Sequence, residues 1–202
     1  MKLPLNTLLI ALALGLALGQ ASPATAADAG ATSAALPGDS LYHLQAGFTD
    51  LHGQSLQWAA LQGRPQLVSM FYGNCSLMCP LILENAKAVQ KQLSPEQRAR
   101  LGVAMITLDP ARDTPAALAE VAERNRTPAD WQYLQPDADD VRAVVSVLDV
   151  RYRFREDGSI NHTSVLVLLD AQGRPLARSE VVGAAPDPGF LQQVRTALAQ
   201  TP

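Results

Sequence analysis

The chain has 202 residues, of which 48% are hydrophobic and 17% are charged, and its net charge is −3. This length and composition predict one domain with a hydrophobic core, and they exclude a chain that is disordered throughout. The acidic balance and the lack of a long basic run in the sequence argue against a nucleic-acid partner.

The first 26 residues have the layout of a secretory signal peptide. Lys2 supplies the positive end, residues 8–19 form an apolar run, and Ala24-Thr25-Ala26 offers a cleavage site. The apolar run is shorter than the roughly 20 residues that a membrane-spanning helix needs. We therefore predict a cleaved signal and an oxidising, extracytoplasmic destination. The alternative is an uncleaved segment that anchors the chain to the inner membrane. Residues 27–38 are predicted to form a flexible linker.

Hydrophobic patterns predict a hairpin, then alternating strands and helices, then a second hairpin and a final helix. In chain order, we expect a hairpin over residues 41–58 with its turn at 51–54, a strand over 66–72, a helix over 80–93, a strand over 101–109, a helix from Pro115 capped by Thr114, a helix over 139–150, a hairpin over 163–183 and a helix from Pro188 capped by Asp187. This order predicts a thioredoxin-like α/β domain over residues 39–202: a central mixed sheet flanked by helices, extended by an N-terminal β-hairpin.

Both cysteines of the chain lie in the segment FYGNCSLMCP, as Cys75 and Cys79. They follow a predicted strand and precede a predicted helix, at the edge where open α/β sheets carry their sites. Helix N–H groups favour thiolates there, so both sulfurs should deprotonate easily. If the segment is helical, the spacing puts both side chains on one face with Cα atoms roughly 6 Å apart. That distance permits a disulfide or a shared metal ion, although a bridge closing so short a loop would stabilise little.

The third candidate residue is His162, which lies just before a buried strand. In a thioredoxin-like topology, the loop before the second hairpin packs against the helix that follows the cysteines. His43 and His52 belong to the first hairpin and are predicted to be surface residues. Two thiolates and an imidazole form a soft ligand set that suits copper(I) and can also hold copper(II). A structural zinc site would want a fourth protein ligand, which the sequence does not offer.

Three segments resemble the signature blocks of the Sco/SenC copper-binding proteins: FYGNCSLMCP, TLDPARDTPAALAEVAERN and INHTSVLVLLDAQGRPLA. The resemblance runs from about Leu36 to Leu198. It implies a thioredoxin-like fold in the periplasm and copper ligands at Cys75, Cys79 and His162. It also implies that the chain assists assembly of the copper centre of a respiratory oxidase. The implied partners are a copper donor, an oxidase subunit as client and a thiol reductant, with membrane contact only through an uncleaved signal or the client.

The sequence departs from the commonest family pattern at two positions beside the site. Many members have Pro where this chain has Ser76, and many have Asp where it has Asn161. Neither change removes a ligand, but Asn161 lowers the negative charge next to the site, which leaves the identity of the client open. In DPARDTP (residues 109–115) we expect a structural role, with contacts to the metal region or a partner as the alternative for Asp109, Arg112 or Asp113.

A different class of function remains open for the Cys75–Cys79 pair. A thiol–disulfide oxidoreductase would use it by thiolate attack and a mixed disulfide, and it would need no histidine. The two functions can coexist, because only the reduced dithiol can bind copper. A peroxidase of the thioredoxin superfamily is disfavoured, since the threonine and arginine expected around its cysteine are absent from this sequence.

Overall fold

The computed structural model describes residues 35–75, 78–181 and 183–200. The predicted signal peptide and most of the predicted linker lie outside these residues. No helix within the described ranges is long and apolar enough to cross a bilayer.

A seven-stranded mixed sheet forms the centre of the domain, with the strand order β2-β1-β5-β4-β3-β8-β9. Strands β3, β4 and β5 are parallel, and the other pairings are antiparallel. Strands β6 and β7 form a separate antiparallel ribbon. The strands are β1 (Gly47–Asp50), β2 (Ser55–Gln57), β3 (Gln66–Phe71), β4 (Gly102–Thr107), β5 (Gln132–Pro136), β6 (Tyr152–Phe154), β7 (Ile160–His162), β8 (Leu166–Leu169) and β9 (Pro175–Ser179).

Helices flank this sheet, and two of them begin at the predicted caps. The helices are α1 (Met78–Lys91), α2 (Pro95–Arg100), α3 (Pro115–Arg124), α4 (Val141–Val147) and α5 (Pro188–Gln200), with short 3-10 turns at Leu41–His43 and Trp58–Leu61. The Thr114 side chain accepts a hydrogen bond from the Ala117 N–H, which satisfies one free donor at the start of α3. Asp187 Oδ1 accepts the Phe190 N–H at 2.7 Å and does the same for α5.

The core lies around the two central strands. Every residue of β3 and β4 is buried, as expected for parallel strands that are covered on both faces. Phe71 at the end of β3 packs edge-on against Tyr133 of β5, with ring centroids 5.7 Å apart. Burial of such large apolar side chains stabilises the fold by about 1.5–3 kcal/mol each. The tight core fixes the end of β3, from which the cysteine segment leaves.

The structure confirms the predicted thioredoxin-like arrangement, with the hairpin β1–β2 at one edge of the sheet. It also corrects the predicted element list. Helix α2, strand β5 and the β6–β7 ribbon were not predicted. Helix α4 is shorter than the predicted range of 139–150, and α1 begins two residues before Pro80. His162 does not lie in a loop but ends strand β7.

Candidate metal and thiol site

The two cysteines meet at the junction between β3 and α1. Cys75 lies in the connecting loop, where its N–H donates to the Tyr72 carbonyl at 3.2 Å, and Cys79 lies in the first turn of α1. The Cys79 N–H donates to the Cys75 Sγ at 3.2 Å. Both residues are thiols. The Cys75 sulfur therefore caps the N-terminus of a helix, a position that favours its thiolate.

The two sulfurs have different environments. Cys79 is buried, with 3% of its surface exposed, whereas Cys75 is half-buried. The hydrogen bond with Cys75 and burial raise the pKa of the Cys79 thiol. The expectation that both sulfurs deprotonate easily is therefore wrong for Cys79, because its thiol is hydrogen-bonded to Cys75 and buried, while its N–H donates to the Cys75 sulfur.

His162 reaches the cysteines from the ribbon. Its Nε2 lies 3.7 Å from the Cys79 Sγ. Its Nδ1 lies 3.1 Å from the Thr163 carbonyl, and because a carbonyl only accepts, this contact places the ring proton on Nδ1. Burial lowers the pKa of His162. The imidazole is thus held neutral with the lone pair of Nε2 towards sulfur, which is the form that binds a metal ion.

Cys75, Cys79 and His162 offer the ligand types that a soft metal ion prefers, but their side chains do not surround a single point in this structure. Among the described residues, no three His, Cys, Asp or Glu side chains stand close enough together to hold an ion as placed. Two ligands of one ion, with metal–sulfur and metal–nitrogen bonds of about 2.3 and 2.0 Å, are roughly 3.7 Å apart at a 120° angle. The Cys79–His162 separation of 3.7 Å matches that value. Cys75 would supply the second sulfur of a set of two sulfurs and one nitrogen.

The DPARDTP segment is hydrogen-bonded to the loop that carries Cys75. The buried Asp113 carboxylate accepts the Gly73 N–H at 2.8 Å and also the Thr107 hydroxyl. A Cβ atom at Gly73 would come within 2.5 Å of Asp113 Oδ1, so only glycine permits this approach. Burial raises the pKa of Asp113. The carboxylate holds the loop two residues before Cys75, which agrees with the expected structural role of this segment.

Arg112 joins the same segment to the ribbon that carries His162. Its Nη2 donates to the Gly158 carbonyl at 2.8 Å, and its Nε pairs with the Asp109 carboxylate. The cysteine loop and the His162 ribbon are thus both attached to DPARDTP. Sequence reasoning offered Arg112 only as one alternative, because the Gly158 contact joins residues that are distant along the chain.

The site opens on two sides. Cys75 lines a groove of about 410 Å³ together with Arg124 and Asn125. His162 lines a second groove of about 610 Å³ together with Met78 and Asn161. Arg124 also donates to the Gly73 carbonyl at 3.2 Å. Sequence reasoning missed Arg124, and its place as the last residue of α3 gave no local signal.

The remaining predicted positions fall outside the site or beside it. His43 and His52 are exposed in the N-terminal part of the domain, as predicted. Asn161 is exposed and stands opposite Arg153 across the ribbon, so that arginine faces a neutral amide. Ser76 lies outside the described residues.

A family model described as SCO1/SenC matches residues 41–195. The chain belongs to the SCO1/SenC family. A stretch of 69 residues is also 35% identical to part of a protein of Stutzerimonas stutzeri whose name proposes copper binding. That stretch covers 34% of this chain and 34% of the Stutzerimonas protein.

Solved structures of SCO1/SenC proteins have the same fold. A SCO1/SenC family lipoprotein from Bacillus anthracis is 19% identical, with a TM-score of 0.68, over 78% of this chain and 95% of that chain. ScoI of Bradyrhizobium japonicum with copper bound is 20% identical, with a TM-score of 0.64, over 79% of this chain and 98% of that chain. At these identities, the likeness establishes the fold alone.

Proposed function

We propose that this protein binds one copper ion through Cys75, Cys79 and His162 and assists assembly of the copper centre of a respiratory oxidase. The observation that carries the proposal is the neutral His162 Nε2, held 3.7 Å from the Cys79 sulfur by a separate strand. Two sulfurs and one imidazole are the ligands that soft copper(I) prefers. The copper-bound ScoI structure supports copper as the ion.

Copper is the transferred substrate and not a resident cofactor, and Cys75, Cys79 and His162 bind it and then release it. Binding requires thiolates, so each cysteine releases a proton as it takes the ion. The Thr163 carbonyl fixes the ring of His162 and raises its basicity as a ligand. Three protein ligands leave room for a donor or client to add its own ligand before these residues release the ion.

The protein would act in the periplasm, and the predicted signal peptide supports this location. The alternative is attachment to the inner membrane by an uncleaved N-terminal segment. Its partners are a copper donor, an oxidase subunit as client, and a thiol reductant. The reductant is needed because a Cys75–Cys79 disulfide would remove both sulfur ligands.

An anaerobic titration with copper(I) against a coloured competing chelator tests the ligand set. We expect one ion per chain, and His162→Ala should weaken binding by more than about tenfold, because loss of even a hydrogen-bond partner of a ligand costs about 10–100-fold. His52→Ala is the matched control, since His52 is exposed, and it should bind copper as the unmodified chain does. Unchanged affinity in His162→Ala would show that the three-ligand set is wrong.

A second candidate function is thiol–disulfide exchange, and the asymmetry of the two sulfurs favours it. Half-buried Cys75 receives a backbone N–H, and buried Cys79 lies next to it. The Cys75 thiolate would attack a client disulfide, breaking its S–S bond and forming a mixed disulfide. The Cys79 thiolate would then attack the Cys75 sulfur, release the client as a dithiol and leave a Cys75–Cys79 disulfide. A thiol reductant would return both sulfurs to the dithiol.

Trapping experiments test this second function. With a peptide that contains one disulfide, Cys79→Ser should accumulate a mixed disulfide, because the resolving thiol is missing. Cys75→Ser should accumulate much less, since its remaining thiol is buried. Equal trapping by the two variants, measured by mass spectrometry, would contradict the assigned roles.

A further inference from the structure

A third groove, with four cationic side chains in its lining, lies beside the groove of Cys75. We propose that it binds an acidic segment of a partner polypeptide and so brings a sulfur atom of that partner to Cys75. We call it the cationic groove; it measures about 370 Å³, and its charged lining residues are Lys87, Lys91, Arg98, Arg126 and Asp130. The inference rests on the proposed function, in which the Cys75 sulfur binds copper or attacks a disulfide.

The charges in this groove are unbalanced. Four cations from α1, α2 and the loop after α3 face one lining carboxylate, Asp130. One of the four is partly engaged, because the Lys87 Nζ lies 2.5 Å from Glu84. The whole chain carries a net charge of −3, so this concentration of positive charge goes against the overall balance. Such a local field attracts anionic partners and speeds their association.

The cationic groove adjoins the groove of Cys75. Asn125 and Arg124 line the Cys75 groove, and the next residue, Arg126, lines the cationic groove. The Lys87 ammonium donates to the Asn125 carbonyl at 2.8 Å, so the boundary between the grooves is built from residues of both. An extended segment that lies in the cationic groove can therefore continue past Arg124 to Cys75.

The backbone at Arg126 gives an independent reason to look for a role of its side chain. Arg126 has φ of +50°, in the left-handed region. The Arg126 N–H donates to the Glu123 carbonyl at 2.9 Å, and the Thr127 N–H donates to the Ala122 carbonyl at 3.1 Å. These two bonds form the helix-ending motif in which the left-handed position is usually glycine. An arginine here is unfavourable for the backbone, and it places a guanidinium in the groove.

A polypeptide fits these features better than an anionic lipid surface does. The cations line a concave groove built from three elements, which suits a chain segment with carboxylate side chains. The neighbouring thiol acts on sulfur, and a protein partner supplies sulfur whereas a phospholipid does not. Binding to a membrane is therefore the competing outcome of the test.

The test uses Cys79→Ser protein, in which Cys75 is the single thiol, and two synthetic peptides. Each peptide carries one cysteine as a mixed disulfide with 2-thiopyridine, flanked by six Glu residues in one peptide and six Gln residues in the other. The Cys75 thiolate attacks the peptide sulfur, the S–S bond breaks, and pyridine-2-thione leaves with the electron pair and is measured by its absorbance. We expect the Glu peptide to react at least about tenfold faster at low salt, and the ratio to fall towards one at high salt.

Charge variants locate the effect, and the Glu-to-Gln rate ratio is the measurement. Arg98→Gln, Arg124→Gln and Arg126→Gly should each lower the ratio several-fold. Arg142→Gln is the charge-matched control on the exposed side of α4, and it should keep the ratio. A ratio near one at low salt, or a ratio that the groove variants leave unchanged, would overturn the inference.

Two further measurements separate the competing outcomes. Phosphatidylglycerol vesicles that bind the protein through the same arginines, combined with a rate ratio near one, would replace the polypeptide with a membrane and overturn the proposal. Copper(I) titration of otherwise unmodified protein tests the proposed function separately. A chain that binds copper but shows no preference for the Glu peptide refutes only the groove.

Discussion

Replacing Arg126 by glycine should make the protein more stable. Arg126 occupies the left-handed region at φ +50°, where an L-residue costs about 1–2 kcal/mol. Glycine adopts this conformation freely but gives back about 0.5–1 kcal/mol, because it loses more freedom on folding. The expected net gain in the free energy of unfolding is therefore about 0.5–1 kcal/mol, provided that the backbone hydrogen bonds at the end of α3 are kept.

Urea denaturation measures this gain as a higher midpoint with an unchanged slope. In a thermal scan, each kcal/mol corresponds to about 2–4 °C for a domain of this size. Asp149→Gly is the matched control: Asp149 has φ of +48° and ends α4 with the same pair of backbone bonds. Its gain should be smaller, because aspartate tolerates the left-handed region better than arginine does. A lower midpoint for Arg126→Gly would show that contacts of the guanidinium outweigh the backbone strain.

Three further predictions concern the support of the site and the core. Asp113→Ala removes the buried acceptor of the Gly73 N–H, which should lower the free energy of unfolding in urea by about 2 kcal/mol. Gly173→Ala should lower the free energy of unfolding by more than Asp113→Ala does, because Gly173 has φ of +83° and a new Cβ would lie 2.3 Å from the Tyr42 ring. Burial raises the pKa of Tyr133 from 10.0 to about 12. The neutral phenol therefore stabilises the fold below pH 10, and this contribution is lost as the pH rises from 10 to 12.

Each of these predictions has its own control. Asp113→Asn keeps one oxygen acceptor and should lose less stability than Asp113→Ala; equal losses would contradict the hydrogen-bond argument. Gly53 has φ of +78°, but no atom lies within 4 Å of a Cβ added there. The difference in stability loss between Gly53→Ala and Gly173→Ala therefore isolates the clash with Tyr42. The phenolate absorbance lost in Tyr133→Phe should titrate near pH 12, and a midpoint near pH 10 would refute the burial of this hydroxyl.

The parts of the fold with strong local signals were predicted from the sequence. Strands β3 and β4 are continuous apolar runs, and the caps Thr114 and Asp187 precede prolines, so short windows were sufficient. Strand β5 was missed because its segment QYLQP mixes polar residues with a proline, and its pairing with β1 and β4 comes from the tertiary structure. The β6–β7 ribbon was missed because its segment contains Arg153, Arg155 and a polar turn and lacks a buried run.

The places of the candidate residues in the fold were largely predictable from the sequence, but the geometry between them was not. A strand followed by a helix indicated where Cys75 and Cys79 would lie, and the topology indicated His162. The different burial of the two sulfurs has no local signal. The contact of Asp113 with Gly73 likewise joins residues 40 positions apart. Both depend on how α3 and the DPARDTP segment pack against the end of β3, which the sequence pattern does not encode directly.

The separation of the β6–β7 ribbon from the seven-stranded sheet bears on the order in which an ion would leave. The proposed sulfur ligands belong to the central β3–α1 unit, whereas His162 belongs to a ribbon with three residues in each strand. Short, exposed elements open locally at a lower free energy than central strands do. We therefore expect the imidazole to detach first while the sulfurs still hold the ion. A ligand of the recipient could then replace His162 while the sulfurs are still bound. The ion would pass directly from one protein to the other without entering the solvent.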